Sequence, residues 1–315
     1  MHSKHVLAAG VFALANLSAI AAPAQEPAAC GTVRFSDVGW TDITATTAVT
    51  TTLLRSIGYR TSVKVLSVPV TYVSLKSNDI DVFLGNWMPT MAADIKPYAE
   101  EGSVETVRAN LEGAKYTLAV NRVAADAGLR TFADIAKFKS QLKKRIYGIE
   151  PGNDGNRLIQ TMIDKNAFGL SSFEVVESSE AGMLAQVARA TKKGLPIVFL
   201  GWEPHPMNTN LDMVYLEGGD EFFGPNLGES TVYTNVRRDY AGQCPNVGAL
   251  LKNLVFSLAM ENEIMGAILN DGLNPDKAAI AWMKSHPDIV LAWLDGVTTR
   301  DGGDAKAAVR ATLGR

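Results

Sequence analysis

Three of the five tryptophans stand in turns of one kind. Trp40 lies in Asp37-Val38-Gly39-Trp40-Thr41-Asp42, Trp87 in Leu84-Gly85-Asn86-Trp87-Met88-Pro89, and Trp202 in Leu200-Gly201-Trp202-Glu203-Pro204-His205. Each turn follows a short apolar run that reads as a strand: Val33–Val38, Ile80–Leu84 and Ile197–Leu200. In open α/β sheets ligands bind beyond the carboxyl ends of the strands, so these tryptophans occupy ligand positions. A single tryptophan there commonly caps the core beneath a loop. Three, drawn from both halves of the chain, point to a cleft walled by ring faces. Such walls suit two ligand classes, sugars that stack on rings and quaternary ammonium groups that sit among them. A trimethylammonium carries charge but no N–H donor, and the negative face of a ring solvates it at up to ~2 kcal/mol per desolvated contact. Trp282 and Trp293 differ, falling at helical spacing among Ala, Met, Ile and Leu, and read as core.

The elements that must position the tryptophans alternate. Strand Val33–Val38, helix Thr44–Ile57 ended by Gly58, strand Tyr59–Leu66, helix Val70–Leu75 and strand Ile80–Leu84 make one set. Strand Tyr116–Asn121, helix Phe132–Leu142 with Thr131 as N-cap, strand Ile146–Ile149, helix Asn156–Asn166, strand Phe173–Glu177, helix Ala181–Lys192 and strand Ile197–Leu200 make a second. Alternation of this kind argues for βαβ units and parallel sheets. The C-terminal part is helical, over Val247–Met260, Glu261–Asn270, Pro275–Ser285 and Ile289–Leu294. We read an α/β clamp of two lobes with a cleft between them. Lobe I is discontinuous, residues 25–114 plus 226–315, and lobe II is residues 115–225.

Composition narrows the class. The 315 residues are 47% hydrophobic and 20% charged, which gives two domains ample core and excludes disorder. Thirty basic against 33 acidic residues leave a net charge of −3, with no basic field for nucleic acid. Residues 1–24 read as a signal peptide: Lys4 near the start, an uncharged run Val6–Ala22, and Ala22-Pro23-Ala24 as the cleavage site. A periplasmic location follows, and no later segment is apolar over the ~18 residues of a membrane span. An oxidising compartment makes the two cysteines one disulfide, Cys30–Cys244. The rival reading, a lipid anchor at Pro27-Ala28-Ala29-Cys30, lacks the aliphatic residue usual where Pro27 stands and would strand Cys244.

Four stretches taken in order resemble the periplasmic substrate-binding proteins of ABC importers for choline and glycine betaine. They are Gly39-Trp40-Thr41-Asp42, Asp81 to Pro89, Pro151-Gly152-Asn153-Asp154-Gly155, and Gly201-Trp202-Glu203-Pro204-His205. Together they look like the choline-specific branch, and the resemblance covers essentially the whole mature chain. It implies the two-lobed class II periplasmic binding protein fold. It also implies an aromatic box of Trp40, Trp87, Tyr116 and Trp202, with Asp42 and Asn153 on the hydroxyl of choline. The implied partners are choline and an ABC permease in the inner membrane, with a monomeric chain and no cofactor.

Each residue has an ordinary reading beside this one. Tyr116 alone is a strand aromatic, and Asp42 an acid at a helix start. Asn153 sits in a stretch that suits a simple turn. Helix-start N–H groups there could instead cradle an anion, which keeps glycine betaine open as a ligand. His205 is left outside the site as a structural residue. An acid at Asp42 favours choline, whose hydroxyl can donate to it, over betaine, whose carboxylate it repels. An exported enzyme finds no support: G-x-S-x-G, H-E-x-x-H, P-loop and G-x-G-x-x-G are missing. Ser140-Gln141-Leu142-Lys143 fits S-x-x-K by letter alone. No catalytic or metal-binding residue is expected, and a sugar-binding protein would need more polar partners around its aromatics.

Overall fold

The computed structural model describes residues 26–314; the expected signal segment and its cleavage site lie outside them. Among the described residues nine strands form one sheet: β1 (Thr32–Asp37), β2 (Arg60–Val65), β3 (Val82–Met88), β4 (Val104–Asn121), β5 (Arg145–Tyr147), β6 (Glu174–Val176), β7 (Val198–Glu203), β8 (Met213–Tyr215) and β9 (Glu229–Arg237). Their order is β2-β1-β3-β9-β4-β7-β5-β6, with β8 also on β4. The expected parallel pairing holds for β1 with β2 and β3, and for β5 with β6 and β7. Between these groups β9 and β4 insert antiparallel pairs, so the sheet is mixed.

β4 is the spine of the fold. Val104 to Lys115 pair with β9, and Lys115 to Val120 pair with β7, so the strand changes partners at Lys115. Register shifts at Thr106/Arg108, Ala109/Leu111 and Leu111/Ala114 bend it on the way. The result is a two-lobed α/β fold in which β4 belongs to both halves. Its full length is hidden in the sequence, because the bulges break the alternation of apolar residues before Tyr116.

Six helices pack about the sheet where the site is built: α1 (Thr41–Ser56), α2 (Val68–Lys76), α3 (Ala92–Glu100), α4 (Arg122–Asp126), α5 (Asp154–Asp164) and α6 (Glu180–Lys192). α1 begins three residues before the expected start and packs against helices Leu258–Leu269 and Pro275–Ser285. Two of its buried threonines return their hydroxyls to the preceding turn, Thr46 to the Asp42 carbonyl (3.1 Å) and Thr50 to the Thr46 carbonyl (2.8 Å). Burial of polar side chains in a helix is thereby tolerated. Thr131 does cap the next element, in a box with Asp134, but that element is a 3-10 helix ending at Phe138. The expected boundary between helices Val247–Met260 and Glu261–Asn270 lies earlier: the helices are Pro245–Asn253 and Leu258–Leu269, because Ser257 stands in extended backbone and caps the second. Trp282 and Trp293 are buried core residues, as their spacing indicates, stacked at 6.1 Å.

The start of the described chain is fastened at residue 244. Cys30 and Cys244 are joined in a disulfide 214 residues apart in sequence. Beside it, Glu26 accepts from the Asn246 and Val247 amides (2.7 and 3.2 Å) at the first turn of helix Pro245–Asn253. A loop of that length is worth about 5 kcal/mol by chain-entropy arguments and typically 2–4 kcal/mol in practice. The double variant Cys30→Ser, Cys244→Ser should therefore lose about 2–4 kcal/mol in urea unfolding while its site keeps its ligand affinity. Unchanged stability would mean that the docking of Glu26 alone holds the chain start.

Candidate functional site

The carboxyl ends of β1, β3 and β7 and the middle of β4 converge on one enclosed cavity. Gly39, at φ +82°, turns the chain out of β1, and its amide donates to Asp37 Oδ1 at 2.7 Å. Trp40 thereby stands at the N-cap of α1. Trp87 and Trp202 lie near the ends of β3 and β7, each followed two residues later by a cis-proline. Antiparallel register sets Tyr116 opposite Trp202. The Tyr116 ring lies 6.0 Å from that of Trp87 and 6.3 Å from that of Trp202, edge-on to both. The four rings line one pocket with Asp42, Ile149 and Asp154. No cationic side chain is in the lining.

Of the residues expected from sequence, Trp40, Asp42, Trp87, Tyr116 and Trp202 face this cavity. Asn153 stands one bond behind. As N-cap of α5 it accepts from the Asn156 amide, and its Oδ1 also takes the Tyr116 hydroxyl at 2.8 Å. Gly155 makes room for that contact, since a Cβ there would sit 2.2 Å from the Tyr116 oxygen. His205 is likewise outside the lining. Its ring meets Trp202 edge-on at 4.9 Å, and its Nδ1 accepts from the Met207 amide (2.8 Å). Its Nε2 therefore carries the proton and donates to Glu180 at 3.1 Å.

Sequence reasoning passes over the acids Glu150, Asp154 and Glu180. Glu180 belongs to α6 in the second half of the sheet, yet it accepts from the Thr41 amide (2.9 Å) and hydroxyl (2.6 Å), capping α1 of the first. Glu150 accepts the Trp40 indole N–H at 2.9 Å, again across the halves. Arg157 of α5 makes a third tie, to Asp94 (2.6 Å) and the Thr90 carbonyl (3.2 Å). An acid at a helix start or in a turn is too common for any of these to stand out in a sequence.

Burial dominates the electrostatics. It raises Asp42 to about 8, with Glu180 adding repulsion and the Trp87 indole, donating at 3.2 Å, giving partial relief. It raises Glu150 to about 7, against the Trp40 and Asn153 donors, and Asp154 to about 6, against Thr90. Glu261, buried on helix Leu258–Leu269, is pushed well up by burial and by Asp42. Asp42 Oδ1 and Asp154 Oδ2 have no hydrogen-bond partner, and neither has the Trp202 indole N–H. The cavity is thus an apolar box with two carboxyl groups in its wall, each with an oxygen lacking a hydrogen-bond partner and each easier to protonate than in water. Among the described residues no group of His, Cys, Asp and Glu is placed to hold a metal ion.

Comparison with known proteins places this geometry. Residues 31–285 match the family described as the substrate-binding domain of ABC-type glycine betaine transport systems. The chain is 68% identical to an ABC-transporter choline binding protein solved with choline, covering 91% of this chain and 100% of that one at a TM-score of 0.91. The unliganded, semi-closed form of such a protein matches over the same shares with a TM-score of 0.85. The glycine betaine/carnitine transport binding protein GbuC of Listeria monocytogenes is 31% identical over 53% of this chain and 54% of its own length.

The buried acids set a pH response for the empty cleft. Opening would part Asp42 from Glu180 and let water nearer, lowering its carboxyl from about 8 toward the ordinary carboxylate range. A carboxyl whose pKa rises on closure takes up a proton as the cleft shuts. Empty closure is therefore favoured at low pH and progressively lost as the pH rises toward 8. Spin labels on the two halves should move apart between about pH 5 and about pH 8 without ligand, and Asp42→Asn should reduce that response, with Glu150 and Asp154 supplying the remainder. A wild-type distance constant over this range would contradict the assignment.

Proposed function

The chain belongs to the substrate-binding domains of ABC-type glycine betaine transport systems, and on that premise we propose that it captures choline and delivers it to an ABC permease. The observation that carries this reading is the lining itself: four aromatic rings and two carboxylates, with no basic side chain. The rings desolvate a trimethylammonium at up to ~2 kcal/mol each. Asp42 accepts the hydroxyl of choline, while Asn153, behind the lining, accepts the Tyr116 hydroxyl and so orients that ring toward the ligand. The carboxylate of glycine betaine would meet like charge and find no cation in the wall, so betaine is the weaker ligand. The choline-bound relative at 68% identity supports the same choice.

The protein acts in the periplasm after loss of residues 1–24, as a monomer facing a permease in the inner membrane. Residues 25–114 and 226–315 form lobe I and residues 115–225 lobe II, a division supported by the change of partners along β4 at Lys115. Trp40, Trp87 and Asp42 then come from lobe I, and Tyr116, Asn153 and Trp202 from lobe II. Neither lobe alone encloses the ligand, so choline favours the closed state, and the permease reads closure as loading.

Calorimetric titration of the mature protein with choline, acetylcholine, glycine betaine and maltose tests the assignment. Choline should bind tightest and betaine at least about 100-fold more weakly, as like-charge contact costs several kcal/mol. Trp202→Ala should cost roughly 100-fold in choline affinity or more. Trp293→Ala, which empties a core site against Phe256 and Trp282, should spare affinity and lower stability by about 3–5 kcal/mol. Equal binding of choline and betaine would remove the role given to Asp42.

A further inference from the structure

Two acids line the cavity, one from each half of the sheet: Asp42 at the start of α1 and Asp154 at the start of α5. An acid in the first turn of a helix ordinarily lies in solvent and complements the helix dipole. Asp154 instead is 1% exposed, faces the ring box, and leaves Oδ2 without a partner. Its Oδ1 receives only a long bond from Asn153 Nδ2 (3.3 Å), and the Thr90 hydroxyl lies beside the carboxyl. Arg157, the cation that bears on it, is committed to Asp94 at 2.6 Å. Asp94, Glu150, Tyr72 and Tyr116 complete its surroundings and bring no positive charge. A buried carboxylate held this way is costly unless something cationic enters the cavity.

We propose that Asp154 is the second counter-charge of the site, a specificity-determining residue that faces the quaternary ammonium from the side opposite Asp42. The inference rests on the choline reading and adds to it. The rings recognise the shape of the trimethyl group, Asp42 holds the hydroxyl, and Asp154 recognises the formal charge. Shape and charge are then read by different residues, and a ligand of the right shape without the charge leaves Asp154 buried and unpaired.

The neutral alcohol 3,3-dimethylbutan-1-ol separates the two, because it has the shape of choline with carbon in place of the charged nitrogen. In wild-type protein choline should bind far more tightly than this alcohol. In Asp154→Asn the preference for choline should fall by about 10-fold or more, the effect of a charge a few ångströms away, with the affinity for the alcohol little changed. Asp154→Ala removes the same charge and serves as the second variant, and a thermal melt of each establishes that it is folded. If both ligands weaken by one factor, so that their ratio stays at the wild-type value, Asp154 is a helix-start acid and the proposal is wrong. Failure of the wild-type protein to bind choline at all would instead overturn the choline reading itself.

Discussion

A trimethylammonium group has nothing to donate and nothing to accept, and on the proposed choline reading the cleft is organised around that constraint. Such a cation can leave water only for ring faces and fixed negative charge. The rings must surround it, which no single strand end can do, so they come from β1, β3, β4 and β7. On that reading the charge of the ligand is met by Asp42 and Asp154, which are buried with an oxygen apiece unpaired. Both features are costly in an empty closed protein. On the proposed reading they would become favourable together when the cation arrives, which would make ligand and closure interdependent.

The ties across the cleft carry the same logic outward from the cavity. The Thr41 amide, one of the unpaired donors at the start of α1, finds its acceptor only in Glu180 from the opposite half. Trp40 is oriented by Glu150, and Arg157 reaches from α5 to Asp94 of α3. Each tie joins a residue that lines or adjoins the cavity to the other lobe. On the proposed lobe division, closing the cleft would assemble the ring box and complete the cap of α1 in one movement. His205, protonated on Nε2, holds Glu180 for that cap and backs Trp202.

Much of this is legible in the sequence, for identifiable reasons. A Gly-Trp or Gly-Asn-Trp turn after an apolar run marks both the strand end and the direction of the ring, so Trp40, Trp87 and Trp202 are placed at the cleft by their sequence context alone. Tyr116 and Asn153 are reached only through family resemblance, and Asn153 stands behind Tyr116 instead of in the lining. Asp154, Glu150 and Glu180 do not stand out because acids at helix starts and in turns are ordinary; only burial reveals what they do. β9 gives no clear signal because its buried positions include Ser230, Thr234 and Asn235, which interrupt the apolar pattern of a strand. The long β4 is obscured because bulges disrupt its period.

The central claim is that choline closes the cleft because only the closed state assembles the cage. Solution scattering of the mature protein near neutral pH, with and without saturating choline, tests it most directly. The account predicts a smaller radius of gyration with choline, and no such compaction in Trp202→Ala at the same concentration. A wild-type protein that binds choline with no change in radius of gyration would contradict it.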